Sequence, residues 1–349
     1  MNVSTPQVKL TAKDYASDQE VRWCPGCGDY AILKAMQKTL ADLQAKRENT
    51  VFVSGIGCSS RFPYYMSSYG FHTIHGRAPA IATGVKLANP ELDVWIATGD
   101  GDGMSIGGNH MLHVLRRNVN VQILLFNNEI YGLTKGQYSP TSRPGTRSPS
   151  TPGGSLDSPV NPCTFALGSG GRFVARTTDK LMKHMPVIFE RALAHQGASF
   201  VEILQNCIIY NDAVFENLTE KDQAPDTTIM VEHGKPLVFG SDGDKGIRIK
   251  PGTLVPEVVT VGQDGVTEAD LLVHNEKDAT LAHMLTTFAP PAFPLALGVL
   301  YCDPTESFEE RIHGHGRVAD VPDVNLADRA AIKADMDKIF LRPGTWEVK

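Results

Sequence analysis

The stretch Asp93-Val94-Trp95-Ile96-Ala97-Thr98-Gly99-Asp100-Gly101-Asp102-Gly103 decides the fold. Its first six residues form an apolar run ending on a small polar residue, the pattern of a parallel strand covered on both faces. The glycines that follow let backbone approach an anion closely, and a helix after them would present free N–H groups to it. Asp100 and Asp102 work against anion binding in such a loop unless a cation is bound there too. Mg²⁺ resolves the conflict, because it takes hard oxygen ligands and shares phosphate oxygens. A second apolar run, Val119 to Phe126, ends at Asn127-Asn128-Glu129-Ile130. Asp100 offers a carboxylate, Asn128 an amide oxygen and Ile130 a backbone carbonyl to the same ion.

Two further runs, Thr50 to Ile56 and Ser199 to Leu204, read as buried strands. Segments with helical apolar spacing lie between and around the strands: Asp29 to Ala45, Arg77 to Ala88, Gly108 to Arg117 and Asp179 to His195. The alternation predicts an α/β fold, an open and mostly parallel sheet with helices on both faces. Ligands in such sheets bind beyond the carboxyl ends of the strands. Four unusual groups fall there: Gly55-Ile56-Gly57-Cys58, Gly99-Asp100-Gly101, Asn127-Asn128 and Asn206-Cys207. Between Gly101 and Asn127 lie 25 residues, a spacing that resembles the GDG…NN motif for thiamine diphosphate. A nicotinamide site fits less well, since Gly55-Ile56-Gly57-Cys58-Ser59-Ser60 lacks the third glycine of its fingerprint.

Lys and Arg number 33 against 39 Asp and Glu, a net charge of −6, which argues against binding nucleic acid or an anionic membrane. No apolar run approaches the roughly 20 residues that span a bilayer, and the first residues lack a secretory apolar stretch. A cytoplasmic protein is expected. Tyr138 to Pro162 is dense in Ser, Thr, Pro and Gly and reads as a flexible surface loop. The alternation weakens from Asn211 onward. Residues 1–210 are expected to form the cofactor domain, and 211–349 an extension packing on it or on a partner subunit.

Of the 6 cysteines, Cys24 and Cys27 form a Cys-X-X-Cys in Trp23-Cys24-Pro25-Gly26-Cys27-Gly28. Alone, it suits half of a zinc knuckle or a thioredoxin-like redox pair. A zinc ribbon wants a second close pair, and a thioredoxin-like motif should follow a strand. Cys58 and Cys207 both fall at strand ends on one edge of the sheet. With Cys24 and Cys27 they make up the complement of a [4Fe–4S] cluster. Cys163 and Cys302 read as buried apolar residues.

Taken together, WCPGCGDY, GIGCSSR, HTIHGRA, GDGDGMSIGGNH, RRN, FNNEIYGLTKGQ and NC resemble the β subunits of the 2-oxoacid:ferredoxin oxidoreductases, most of all those acting on 2-oxoglutarate. The resemblance runs from about Arg22 to Asn211 and is looser beyond. It implies a [4Fe–4S] cluster on Cys24, Cys27, Cys58 and Cys207. It implies thiamine diphosphate against Ile56, Gly57, Cys58, Ser59, His75, Gly101, Asp102, Gly132 and Leu133, with Mg²⁺ on Asp100, Asn128 and Ile130. The implied reaction is coenzyme A-dependent oxidative decarboxylation of 2-oxoglutarate, a 2-oxoglutarate synthase activity that is reversible in principle. Electrons would leave through the cluster to ferredoxin. An α subunit should hold the other half of the thiamine site and most of the coenzyme A site, in a dimer of αβ units. For the distal carboxylate of the substrate, Arg61 and Lys135 are the candidates. The same chemistry on pyruvate, and an iron–sulfur carrier without thiamine chemistry, are the alternatives.

Overall fold

The structure is a computed structural model that describes residues 9–315 together with 330, 333 and 334. Apart from those positions, the expected extension beyond 315 lies outside the described residues. The strands in chain order are β1 (Thr50–Ser54), β2 (Tyr69–His72), β3 (Asp93–Gly99), β4 (Gln122–Asn127), β5 (Ile130–Tyr131), β6 (Gln137–Tyr138) and β7 (Phe173–Thr178), then β8 (Ser199–Leu204), β9 (Thr228–Val231), β10 (Val238–Phe239), β11 (Lys245–Ile249), β12 (Pro256–Thr260) and β13 (Leu295–Cys302). Eight of them form one sheet in the order β2-β1-β3-β4-β8-β7-β13-β9. Every neighbouring pair in it is parallel except β13 with β7. β5 and β6 form a small hairpin, and β10, β11 and β12 a separate antiparallel sheet.

Because successive strand residues point to opposite faces, the sheet feeds two cores. Val51, Val53, Ile96, Ile123, Leu125 and Val174 enter one, with Ala78 and Ala82 of the helix Ala78–Ala88, Met111 and Leu115 of Gly108–Arg117, and Leu281 and Leu285 of Ala279–Thr286. Phe52, Trp95, Leu124, Phe126, Phe173 and Val201 enter the other, covered by Ile32, Met36 and Leu40 of Asp29–Asp42 and by Met185, Ile188 and Phe189 of His184–Ala194. The predicted α/β architecture with helices on both faces is the one observed. The helix expected over 179–195 begins only at His184, since Pro186 lacks an N–H and is tolerated only in a first turn.

The chain divides into two compact units, Met1–Phe308 and Glu309–Lys349. Inside the first, β9 and β13 come from beyond residue 211 and are strands of the main sheet. The division expected at 210/211 therefore does not coincide with a break in the sheet. Among the described residues no helix is long and apolar enough to cross a membrane.

Candidate functional site

The strand order reverses between β1 and β3, with β2 beyond the first and β4 beyond the second. Open α/β sheets bind ligands at such a point. A cavity of about 290 Å³ lies there, lined by Ile56, Gly57, Cys58 and Ser59 after β1, by Gly99, Asp100, Gly101 and Asp102 at the end of β3, and by Asn128, Ile130, Gly132 and Leu133 after β4. His75, exposed at the rim, lines it too. One cavity thus gathers every residue that the sequence assigned to thiamine diphosphate or Mg²⁺.

Gly57 adopts φ +90°, and a Cβ there would meet nothing within 4 Å, so the backbone bends in the left-handed region beside open space. Gly101 has no room for a side chain: its Cβ would stand 2.3 Å from the Tyr131 ring, whose hydroxyl donates to the Gly101 carbonyl at 2.7 Å. The Asp102 carboxylate accepts from the Gly76 N–H at 2.6 Å and the Thr98 hydroxyl at 2.8 Å. It is occupied in tying the segment before Ala78–Ala88 to β3, so its side chain serves the shape of the cavity.

Asp100 is 2% exposed and burial raises its pKa. One carboxylate oxygen, Oδ2, accepts from the hydroxyls of Ser139 at 2.5 Å and Thr141 at 2.6 Å. Ser142 donates to the Glu129 carbonyl, and Arg143 pairs with the Glu129 carboxylate at 3.0 Å. The beginning of the segment read as a flexible surface loop is therefore buried and packed on the Asp100–Glu129 corner. Composition alone hid this, because hydroxyl side chains look like loop residues until their acceptors are known. Asn128 donates from Nδ2 to Gln205 Oε1 at 2.8 Å and accepts at Oδ1 from the Ile130 N–H at 3.2 Å.

A second cavity, of about 220 Å³, is lined by Cys24, Cys27, Cys58 and Cys207. It shares Asp29, Cys58, Asn128, Gly132, Leu133 and Gln205 with the first, so the two are separated by single side chains. At that wall, a Cβ on Gly132 would stand 3.4 Å from Cys207 Sγ and 3.9 Å from Cys58 Sγ. Burial, with Asp29 close by, pushes the Cys58 thiol up to about 12 and raises Cys27 as well. A nucleophilic Cys27 or Cys58 would need the opposite shift. Such thiols are neutral in the metal-free chain, and a metal binding them would take the proton's place. Among the described residues no three Cys, His, Asp or Glu side chains converge on a single ion. A [4Fe–4S] cluster instead needs cysteines spaced around a cavity, each on its own iron, and this donor set fits that requirement. Asp100, Asn128 and the Ile130 carbonyl likewise offer Mg²⁺ the oxygen donors it prefers. Cys163 is fully buried with its thiol 3.1 Å from Glu202, and Cys302 is partly buried; neither lines the cavity.

Arg61 lines the cysteine cavity, where it donates to the Arg22 carbonyl at 3.3 Å. Lys135 is exposed and lines neither cavity. The two substrate candidates are thus not brought together. Ser139, Thr141 and Gln205 carried no motif, and sequence reasoning passed over them; Asp29 lies within WCPGCGDY but was given no role.

Residues 55–203 match a family described as thiamine pyrophosphate enzyme, C-terminal TPP binding domain. The 2-oxoglutarate oxidoreductase subunit KorB of Mycobacterium tuberculosis is 58% identical over 242 residues, 69% of this chain and 65% of that protein. The β subunit of 2-oxoacid:ferredoxin oxidoreductase 1 of Aeropyrum pernix is 50% identical over 190 residues, 54% of this chain and 60% of that one. A solved 2-oxoglutarate:ferredoxin oxidoreductase from Magnetococcus marinus, with 2-oxoglutarate, coenzyme A and succinyl-CoA bound, superposes with a TM-score of 0.73 at 33% identity, covering 93% of this chain and 95% of that chain. The chain belongs to the β subunits of the 2-oxoacid:ferredoxin oxidoreductases. It spans just under two thirds of the length of the two curated relatives. Within this β subunit the thiamine-binding family segment contains Cys58 alone of the four cavity cysteines. Cys24 and Cys27 precede it and Cys207 follows, so the thiol-lined cavity is assembled at the margins of the thiamine domain.

Proposed function

We propose that this chain is the β subunit of a 2-oxoglutarate:ferredoxin oxidoreductase. The enzyme would convert 2-oxoglutarate, coenzyme A and two oxidised ferredoxins to succinyl-CoA, CO₂, one proton and two reduced ferredoxins. The observation that carries the reading is the shared wall between the two cavities, with Cys58 on both. When bound, thiamine diphosphate supplies the reactive carbon and electron sink for loss of CO₂, and a [4Fe–4S] cluster accepts electrons one at a time. Plain decarboxylation would not need the second cavity.

In this reading Asp100, Asn128 and the Ile130 carbonyl hold Mg²⁺, and Ile56, Gly57, Cys58, Ser59, His75, Gly101, Asp102, Gly132 and Leu133 surround the cofactor. Cys24, Cys27, Cys58 and Cys207 hold the cluster. Arg61, on the cysteine side, is the first candidate for the distal carboxylate of 2-oxoglutarate, and Lys135, which lines neither cavity, is the second. An α subunit completes the thiamine site and supplies most of the coenzyme A site, in a dimer of αβ units. Support for a partner comes from β2, an edge strand exposed along its whole length, where Tyr69, Phe71 and neighbouring Ile74 are 64%, 47% and 65% exposed.

The test is anaerobic purification of the αβ complex, with iron, sulfide and thiamine diphosphate quantitation and assays on 2-oxoglutarate and pyruvate. About four irons per β chain, stoichiometric thiamine diphosphate and coenzyme A-dependent reduction of ferredoxin by 2-oxoglutarate are expected. Iron without thiamine diphosphate would leave an electron carrier, and thiamine diphosphate without iron would make the cysteines structural. Replacing Arg61 by Met should raise KM for 2-oxoglutarate more than for pyruvate; equal changes would remove Arg61 from substrate recognition.

A further inference from the structure

We propose that Gln205 is a positioning residue serving both cofactor sites, its side-chain oxygen fixing the orientation of Asn128 and its side-chain N–H tuning the sulfur of Cys27. The proposal rests on the assignment of Mg²⁺ and the cluster to the two cavities. Gln205 directly follows β8 and is 1% exposed, and its backbone N–H donates to the Asn127 carbonyl at 2.8 Å. Its side chain lines both cavities.

The polarity of the contacts allows one assignment. The Asn206 carbonyl, 2.6 Å away, can only accept, so it faces Gln205 Nε2. The other Nε2 hydrogen then points to Cys27 Sγ at 3.3 Å. Oε1 is left facing Asn128, which must answer with its Nδ2 at 2.8 Å. Asn128 Oδ1 is thereby turned the other way, as the oxygen a hard cation requires. The Ile130 N–H, 3.2 Å from Asn128 Oδ1, favours the same orientation, so without Gln205 the amide is held by that longer bond alone and more readily turns its NH₂ to the ion. Partners that orient metal ligands are worth 10–100-fold in affinity. On the other side, an N–H aimed at a cluster sulfur stabilises the reduced, more negative state and so raises the reduction potential.

The experiment uses the anaerobic αβ complex and two substitutions. Gln205→Leu removes both contacts, whereas Gln205→Glu keeps an oxygen for Asn128, removes the donor to Cys27 and sets its second oxygen against the Asn206 carbonyl, so the thermal stability of both variants is measured alongside. Affinity for thiamine diphosphate at fixed Mg²⁺ is measured by calorimetry on cofactor-stripped complex, and the cluster midpoint potential by EPR-monitored redox titration. Gln205→Leu should weaken thiamine diphosphate binding about 10-fold or more and move the potential negative. Gln205→Glu should bind thiamine diphosphate more tightly than Gln205→Leu, since it keeps the oxygen facing Asn128, and should move the potential further negative than Leu does, since it adds charge. Unchanged potentials in both variants, or losses of binding that simply follow thermal stability, would overturn the dual role. A wild-type complex that shows neither a cluster signal nor thiamine diphosphate binding would overturn the cofactor reading, and Gln205's role with it.

Discussion

Glu202, on β8 in the middle of the sheet, and Asp100, at the carboxyl end of β3, are both 2% exposed. Glu202 accepts from Arg176 Nε at 2.6 Å, Asn127 Nδ2 at 2.8 Å and the Cys163 thiol at 3.1 Å. Burial alone would raise its pKa, yet the Arg176 guanidinium and these bonds hold it below the ordinary range. Asp100 has hydroxyl donors instead, and burial outweighs them. Asp29, on the wall between the cavities, is pushed up to about 7 by burial. Neither Asp100 nor Asp29 has a Lys or Arg ion-pair partner among the described residues. The middle of the sheet settles its charge internally. The crest leaves negative charge for a cation that the chain does not supply, which is how a binding site differs from a structural pair.

Breaking the internal pair should have the largest effect on stability. Arg176→Met strands a buried carboxylate and should cost about 3–5 kcal/mol in unfolding free energy, read from urea midpoints at constant slope. Adding Glu202→Gln should recover part of the loss. A cost below about 1 kcal/mol would mean that Asn127 and Cys163 suffice for Glu202, and the contrast with Asp100 would fail.

The same pair explains what the sequence hid. β1, β3, β4 and β8 were legible because apolar runs ending at glycine or asparagine need no tertiary information. β7 reads Phe-Val-Ala-Arg-Thr-Thr, and an arginine in its middle disqualifies it as a buried strand until Glu202 is seen beside it on β8. β13 is apolar throughout, but its partners β7 and β9 lie far away in sequence and it runs antiparallel to the first of them, so no local alternation announced it. At the site, Asp100, Asn128 and the cysteine set were readable from residue type and spacing, whereas His75, Gly132 and Leu133 came only with the family resemblance. Ser139, Thr141 and Gln205 were readable from neither, because each matters through an acceptor or donor from another segment.

Asp100→Asn should have the reverse signature. Removing this carboxylate should weaken Mg²⁺-dependent retention of thiamine diphosphate about 100-fold, roughly 2.7 kcal/mol. The cofactor-stripped protein should be no less stable than wild type, because an uncompensated buried charge has gone. Calorimetry and urea unfolding on the same preparation check both halves. A variant that loses stability while keeping the cofactor would place Asp100 with Glu202 as a structural acid.

The smallest effect separates the two regions by pH. His195 is 4% exposed against the Phe173 ring, its Nε2 has no hydrogen-bond partner, and burial lowers its pKa to about 4. The unfolded histidine titrates near 6.5. Below that pH the unfolded chain binds a proton that the folded chain refuses, so this contribution is full above 6.5 and lost as pH falls toward 4. Between pH 7.5 and 5 the loss should be about 2 kcal/mol. The crest acids act in the opposite direction. Asp29 and Glu129 are raised to about 7, both chiefly by burial, so the folded chain takes up protons that the unfolded one binds only below its ordinary carboxylate range. Their contribution grows as pH falls through 7. In cofactor-free wild type the two trends oppose each other. His195→Phe should leave the crest alone and should gain stability at pH 5 relative to pH 7.5 by comparison with wild type, with His184 and His274, which burial also lowers, still opposing the acids. Saturating Mg²⁺ and thiamine diphosphate should remove Asp29's part of that gain, because a bound cation holds nearby acids ionised, while Glu129, paired with Arg143 and lining neither cavity, keeps its own. If the gain survives the cofactor unchanged, Asp29 is not facing the cation, and the contrast between the sheet's middle and its crest is one of packing alone.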